Sequence, residues 1–330
     1  MKILIFGAGV AGTTFAWVFE QAGHDVTLLV RPGHEDRWNR GINLRILDAR
    51  GGGRKDVKMV YHPHVVTSFV PDDGYDIVIE TVRYTQTEEA LPQLVANLGD
   101  ATLLFFNNNW QGLDVIDGVI AKNRYVLGMH HVGGVISNGV LDGAIEGNVV
   151  LGASIWGEAT PASVAAAVRK NLDVVVELFH SANFKVEIQE NMEWWYSVHF
   201  AGTATWTGAA AKAGGLDHVV HSSRAIHEAL VAGREAMEIC RAQGVDVSKI
   251  GEAKPFLAPA FVMAPIMRRL MTRDLIARVS QTSVDYEPEF RRMYDDLVVT
   301  GHRLEVRTPH LDAYRPYVDV EKQPQLTGVQ

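Results

Sequence analysis

Short apolar runs alternate with amphipathic segments through the first 189 residues of the chain. An apolar run of four to seven residues bounded by polar residues or glycine is typical of a buried strand, and apolar residues at helical spacing are typical of a packed helix. This alternation predicts an α/β domain with a largely parallel sheet. The predicted strands are 3–6, 26–30, 42–47, 57–61, 76–80, 102–106, 125–129 and 185–189, with short β-prone pieces in 131–154, and the predicted helices are 10–22, 87–98, 113–121 and 160–182.

Strand patterns nearly vanish after residue 191, and helical spacing takes over. The helices predicted there are roughly 192–213, 219–243, 256–279 and 286–300. We therefore predict two domains, a dinucleotide-binding domain over 1–189 and a helical substrate or dimerisation domain over 190–330. The polar tail after Pro309 is open to two interpretations, loose packing or crossing to a partner chain.

A glycine motif lies between the first predicted strand and the first predicted helix. Strand, glycine turn and helix form the context in which G-x-G-x-x-G binds a dinucleotide. Here the first glycine permits a tight turn, the second lets a pyrophosphate approach the backbone, and the third lets the helix pack close to the strand. The predicted cofactor-binding residues of this Rossmann motif are Gly7, Ala8, Gly9, Val10, Ala11 and Gly12.

The residue that follows the second strand is Arg31. A site for NAD usually has an acidic residue at this position, which would repel a 2′-phosphate, whereas arginine can pair with that phosphate through two N–H groups. The sequence therefore predicts NADP(H) as the cofactor.

Composition and charge limit the classes of molecule that the protein is expected to bind. A net charge of −8 disfavours a general binder of nucleic acid or of anionic membranes. No apolar run is long enough to span a bilayer. The single cysteine, Cys240, fits a reducing compartment, and we expect a cytoplasmic protein with no metal, since His218, His221 and His227 have no matching ligand cluster.

The opening segment MKILIFGAGVAGTTFAWVFEQAGHDVTLLVRPG resembles the start of the ketopantoate reductase family, the NADPH-dependent 2-dehydropantoate 2-reductases. The resemblance implies an N-terminal Rossmann domain followed by an all-helical domain. It also implies a cofactor-binding role for Arg83 in DIVIETVRYTQTEEAL, where the family has lysine. In FFNNNWQG it places Asn108 at the family's asparagine, which contacts cofactor and substrate.

The second half of the chain departs from the family's pattern. In EWWYSVHFAGTATW the position of the family's catalytic lysine is taken by Ser197, or by Tyr196 in a register one residue earlier. The family's substrate-binding glutamate corresponds to Glu289, with Glu287 as the neighbouring candidate. The resemblance thus implies a substrate site that retains its carboxylate and lacks its lysine.

Reduction of a ketone by hydride creates an alkoxide, so the site needs a proton donor. Serine is a weak acid, a phenol is a better one, and histidine is the most natural replacement for lysine because it titrates near neutral pH. Tyr196 and His199 are three residues apart and would share a helical face. The competing interpretation is an aromatic core that contains both side chains.

We therefore expect an NADPH-dependent oxidoreductase that transfers hydride to a small carbonyl compound, a 2-oxo acid or related ketone, in a cleft between two domains. Two alternatives stay open: imine reduction resembling that of opine dehydrogenases, for which His199 is suited, and a non-catalytic NADP(H)-binding relative. A homodimer is expected, since symmetric dimers are the commonest assembly.

Overall fold

A mixed ten-stranded sheet organises the first part of the chain. The structure is a computed structural model that describes residues 1–106, 110, 112–153, 162–273, 275 and 288–319. The strands are β1 (Lys2–Phe6), β2 (Asp25–Leu29), β3 (Ile42–Asp48), β4 (Lys55–Tyr61), β5 (Val65–Val66), β6 (Ile77–Glu80), β7 (Thr102–Phe106), β8 (Tyr125–Ser137), β9 (Val140–Gly152) and β10 (Lys185–Gln189).

Six of these strands form a parallel sheet in the order β5-β2-β1-β6-β7-β8. Numbered along the chain, this is the 3-2-1-4-5-6 order of the doubly wound dinucleotide-binding fold. The fold class predicted from the sequence, a Rossmann domain followed by a helical region, is confirmed.

The sheet continues beyond β8 through β9, β3 and β4. β8 and β9 are antiparallel strands of 13 residues each, where the sequence predicted only short pieces. They are joined at Asn138 and Gly139, which both have positive φ (50° and 76°), as a two-residue hairpin turn requires. On its other edge, β9 pairs with β3 over its first half and with β10 over its second half.

Helices form most of the described residues outside the strands. The predicted helix 219–243 is divided in two around His221, and the predicted helix 256–279 is interrupted at Ala258 and Pro259. The helices are α1 (Val10–Gln21), α2 (Glu35–Asn39), α3 (Tyr84–Ala96), α4 (Asp114–Asp117), α5 (Ala162–Ser181), α6 (Met192–Ala213), α7 (Leu216–Val220), α8 (Ser223–Ala242), α9 (Lys254–Leu257), α10 (Ala260–Met271), α11 (Pro288–Arg303), α12 (Pro309–Asp312) and α13 (Arg315–Val318).

The chain divides into two units, with the change falling within α6. Unit 1 contains Met1–Ser197, and unit 2 contains Val198–Thr272 together with the described residues from 288 onward. The core of unit 1 surrounds α1, whose Phe15 and Phe19 stack on each other and pack against Phe179 of α5. In the described residues of unit 2, α8 buries Ile226, Leu230 and other apolar side chains. No described helix combines the length and apolarity needed to cross a membrane.

Candidate functional site

The glycine loop between β1 and α1 uses two of its glycines for packing. Gly7 has φ of 121°, and a Cβ atom there would lie 2.8 Å from the Thr81 Oγ1 atom. A Cβ atom on Gly12 would lie 1.8 Å from the Gly7 carbonyl oxygen. The tight turn and the close approach of the helix to the strand therefore both require glycine.

Gly9 differs from these two glycines, because no contact with the described residues requires its lack of a side chain. Its backbone is extended (φ −82°, ψ −165°), a conformation open to any residue, and a Cβ atom there would have no atom within 4 Å. Gly9 therefore leaves room beside the loop that no side chain of the described protein fills. This is the space that a pyrophosphate needs in order to approach the backbone.

The start of α1 adds a favourable electrostatic environment to this space. Gly9 is the N-cap residue, so no side chain caps the helix, and its first turn contains no acidic residue. The first N–H groups of a helix lack intrahelical partners and mark the positive end of the helix dipole. The loop thus offers N–H donors and positive potential to an anion.

Thr81, which follows β6, braces the loop and was missed by the sequence analysis. Its hydroxyl lies within hydrogen-bond reach of the carbonyl oxygens of Phe6 (3.3 Å) and Gly7 (3.0 Å), and its backbone N–H donates to Phe6 at 2.9 Å. A hydroxyl residue directly after the strand IVIE is the only local signal for this role.

Arg31 lies just beyond β2 at the same sheet edge as the loop, because β1 and β2 are parallel and paired in register from Lys2↔Asp25 to Phe6↔Leu29. The arginine is exposed, and its carbonyl accepts a hydrogen bond from the His34 N–H at 3.0 Å. Among the described residues, its guanidinium makes no ion pair. A cation beside an anion-binding loop is suited to a second phosphate.

Arg83 lies at the same edge, because it follows β6, which is parallel to β1. It is exposed and is the N-cap residue of α3. The structure thus brings the glycine loop, Arg31 and Arg83 to one edge of the sheet. Asn108 lies outside the described residues, so its predicted contact with cofactor and substrate stays a prediction.

Tyr196 is a core residue of unit 1, with 2% of its surface exposed. Its hydroxyl accepts a hydrogen bond from the Gly128 N–H at 3.0 Å and lies 2.9 Å from the Gly128 carbonyl oxygen. Burial raises the pKa of the phenol well above its usual value. These observations argue against Tyr196 as a proton donor and favour the competing interpretation, an aromatic core position that links α6 to β8.

The Ser197 hydroxyl makes a local contact within α6. Its hydroxyl donates to the Glu193 carbonyl oxygen one turn earlier at 2.9 Å. This contact is common for serine within helices. It supplies no group that would make the hydroxyl a stronger acid.

His199, in unit 2, has a charged partner that the sequence analysis missed. Its Nδ1 atom lies 2.9 Å from Oε2 of Glu252, and the two side chains are 22% and 34% exposed. Glu252 lies in a short 3₁₀ turn, Gly251–Ala253, that precedes α9. A carboxylate hydrogen-bonded to one ring nitrogen fixes the orientation of an imidazole.

Two other candidate residues, Glu289 and Lys212, also lie in unit 2. Glu289 is half-buried in the first turn of α11, and Glu287 lies outside the described residues. Lys212, the nearest lysine after the segment EWWYSVHF, is paired with Glu228 at 2.8 Å and lies over the ring of Tyr314. Among the described residues there is no group of three or more potential metal ligands.

Comparison with known proteins finds similarity to one family. Residues 3–155 match the family described as ketopantoate reductase PanE/ApbA. Two curated relatives, both 2-dehydropantoate 2-reductases, are 26% identical over 195 residues (Pyrococcus abyssi) and 25% identical over 204 residues (Pyrococcus horikoshii). Each match covers 59% of this chain and spans 58% of the length of the relative.

Solved structures extend the similarity of fold to nearly the whole chain. A 2-dehydropantoate 2-reductase from Geobacter metallireducens matches with a TM-score of 0.69 at 13% identity, covering 96% of this chain and 99% of that one. A D-mandelate dehydrogenase, in a ternary structure with NADH and anilino(oxo)acetate, matches with a TM-score of 0.68 at 15% identity, covering 96% and 97%. At these identities the match establishes the fold.

Proposed function

Since the chain resembles the ketopantoate reductase family in both motif and fold, we propose that it is an NADPH-dependent oxidoreductase that transfers hydride to a small carbonyl compound. The bound nicotinamide supplies the hydride. The protein binds and orients the cofactor and substrate and provides the proton.

One observation carries this proposal: the space beside Gly9 at the start of α1, with the Arg31 guanidinium on the same sheet edge. In the proposed complex the pyrophosphate lies against the backbone of the glycine loop. Arg31 pairs with the 2′-phosphate, which is the basis for NADPH over NADH. Arg83 and Asn108 orient the nicotinamide side.

For the substrate we propose a 2-oxo acid or a related ketone. The curated relatives are named for reduction of 2-dehydropantoate, and a structural neighbour for dehydrogenation of D-mandelate. Both names describe the interconversion of a 2-oxo acid and a 2-hydroxy acid. Glu289 is our proposed contact to the hydroxyl of the substrate.

Cofactor binding is the first test, measured as thermal stabilisation by NADPH and by NADH at equal concentration. A ligand at a hundred times its dissociation constant stabilises the folded state by about 2.7 kcal/mol, which is readily visible. We expect NADPH to stabilise the wild type more than NADH does. Arg31→Ala should remove this preference, while Arg45→Ala, which removes an exposed arginine on β3, should retain it.

The same experiment can contradict the proposed cofactor binding. If neither nucleotide shifts the melting temperature, the glycine loop is not a working dinucleotide site and the proposal falls. If both nucleotides stabilise equally in wild type and Arg31→Ala, the fold binds a dinucleotide but the specificity for NADPH is wrong.

Imine reduction resembling that of opine dehydrogenases is a second candidate, favoured by the pairing of His199 with a carboxylate. It predicts NADPH oxidation that depends on both a 2-oxo acid and an amine. The third candidate, a non-catalytic relative, predicts NADPH binding without turnover. We further propose a cytoplasmic homodimer.

A further inference from the structure

Reduction of a 2-oxo acid leaves an alkoxide, so a nearby group must supply a proton. We propose that His199 is this proton donor and that Glu252 positions it, an inference that rests on the proposed function. In this scheme the two residues together supply the proton that a single acidic side chain would otherwise supply. Glu252 is a positioning residue in this scheme, because it acts through the imidazole.

The other candidate side chains are less suitable as proton donors because of the contacts that they make. The Tyr196 hydroxyl is buried and bonded to the backbone of β8. The Ser197 hydroxyl donates along its own helix, and the Lys212 ammonium is paired with Glu228. Histidine is the side chain that exchanges a proton most readily near neutral pH.

The geometry of the pair suits proton donation. With Nδ1 donating to the Glu252 carboxylate at 2.9 Å, the ring orientation is fixed and Nε2 becomes the atom that transfers the proton. Positioned carboxylates serve catalytic imidazoles in this way, by holding the tautomer and stabilising the imidazolium. Both side chains are partly exposed, so solvent can return the proton after each turnover.

The cofactor and His199 together account for the hydride and the proton that the reduction consumes. The cofactor would supply a hydride, which would form a C–H bond at the carbonyl carbon as the π electrons of the C=O bond move to its oxygen. That oxygen takes the proton from Nε2 of the imidazolium. The products are a 2-hydroxy acid, NADP⁺ and neutral His199, which regains its proton from water.

The segment that carries Glu252 is firmly anchored. Ile250 and Ala253, on either side of it, are buried. Phe256 packs where α6 and α8 have glycines: a Cβ atom on Gly233 would lie 2.1 Å from its ring. The Arg234 side chain donates to the carbonyl oxygens of Phe256 at 3.0 Å and Ala258 at 2.6 Å. Such support distinguishes a preorganised pair from an incidental surface ion pair.

The test measures NADPH oxidation with two 2-oxo acids, 2-oxoisovalerate and phenylglyoxylate, in the full chain. The variants are His199→Ala, Glu252→Gln and Glu228→Gln, the last as a control that breaks the ion pair with Lys212 in the same unit. Each variant is also assayed for thermal stabilisation by NADPH. Addition of imidazole to His199→Ala tests whether an external proton donor replaces the lost ring.

We expect His199→Ala to lower kcat about 100- to 10,000-fold and Glu252→Gln about tenfold or more, with KM for NADPH unchanged. Imidazole should restore part of the activity of His199→Ala, a result that a purely structural role would not give. Glu228→Gln should keep the wild-type kcat.

Two results would overturn the dyad while leaving NADPH binding intact. One is a Glu252→Gln kcat within twofold of wild type together with no rescue by imidazole. The other is a wild-type protein that is stabilised by NADPH but oxidises it with neither 2-oxo acid. Absence of stabilisation by NADPH in the wild type would instead refute the proposed function itself.

Discussion

At the scale of single residues, Gly9 is a position where the proposed cofactor binding requires glycine and folding does not. Its backbone angles are close to those of Gly53 (φ −90°, ψ −175°), and both positions leave space for a Cβ atom, the nearest contact at Gly53 being the Arg50 carbonyl oxygen at 3.9 Å. The two glycines thus differ mainly in location, since Gly9 lies in the glycine loop and Gly53 between β3 and β4.

Gly9→Ala is therefore expected to keep the melting temperature of the protein and to lose most of its stabilisation by NADPH. Gly53→Ala, the matched control, should keep both. Thermal melts with and without NADPH measure the two quantities together. Retained NADPH binding in Gly9→Ala would show that the space beside Gly9 does not hold the pyrophosphate.

Residues also differ in how far the sequence could predict their roles. The glycine loop was predictable because its requirements, a turn and a close approach, are met within six consecutive residues. His199 could be named from its type and segment, but its partner Glu252 is 53 residues away and no local pattern connects them. Tyr196 and His199 were predicted to share a helical face, and the burial of Tyr196 favours the competing interpretation of a core residue.

At the scale of elements, Tyr196 ties the start of α6 to the sheet of unit 1. Its hydroxyl reaches the Gly128 N–H and carbonyl of β8 and lies 3.4 Å from the Phe105 carbonyl oxygen of β7. Removing this hydroxyl leaves buried backbone groups with fewer partners, which costs about 1–3 kcal/mol.

Tyr196→Phe should therefore lower the free energy of unfolding by about 1–3 kcal/mol while kcat stays within twofold of wild type. Urea denaturation and NADPH oxidation provide the two measurements. Tyr317→Phe, at an exposed tyrosine, serves as the control and should change neither. A large loss of kcat at unchanged stability would restore Tyr196 as the proton donor.

The long hairpin of β8 and β9 was not predicted from the sequence, and its glycines explain why. The segment 131–154 was predicted to contain short β-prone pieces between glycines, but some of these glycines allow two backbones to approach closely. A Cβ atom on Gly134 would lie 2.3 Å from the Asp142 carbonyl oxygen, and one on Gly143 would lie 2.5 Å from that of Gly133. Such contacts depend on the pairing partner, which a single strand's sequence does not identify.

At the scale of the whole molecule, α10 presents an apolar surface that supports the proposed homodimer. Phe261 is 76% exposed and Ile266 45% exposed. Monomeric proteins rarely expose large apolar patches to water, and a symmetric pair of such helices would cover the exposed apolar side chains of both copies at once. The exposed apolar residues of α10 are Phe261, Val262, Ile266 and Leu270, and Leu257 at the end of α9 is also exposed.

We expect light scattering after gel filtration to give twice the 36.4 kDa mass of the chain. Phe261→Ser should shift the protein toward the mass of one chain, because a polar group would be placed at the centre of the interface. Val299→Ser, at an exposed valine on α11, should leave the mass unchanged. A wild-type protein with the mass of one chain at all concentrations would contradict the dimer.

The way β9 is paired has a consequence for the synthesis of the protein. One edge of this strand is completed by β3, made early, and by β10, made only after α5. Chains grow at about 5–20 residues per second, so an edge of β9 stays uncovered for several seconds while α5 and β10 are still being made. A nascent chain halted near residue 155 would expose that edge to other strands, and its natural fate would be aggregation or capture by a chaperone.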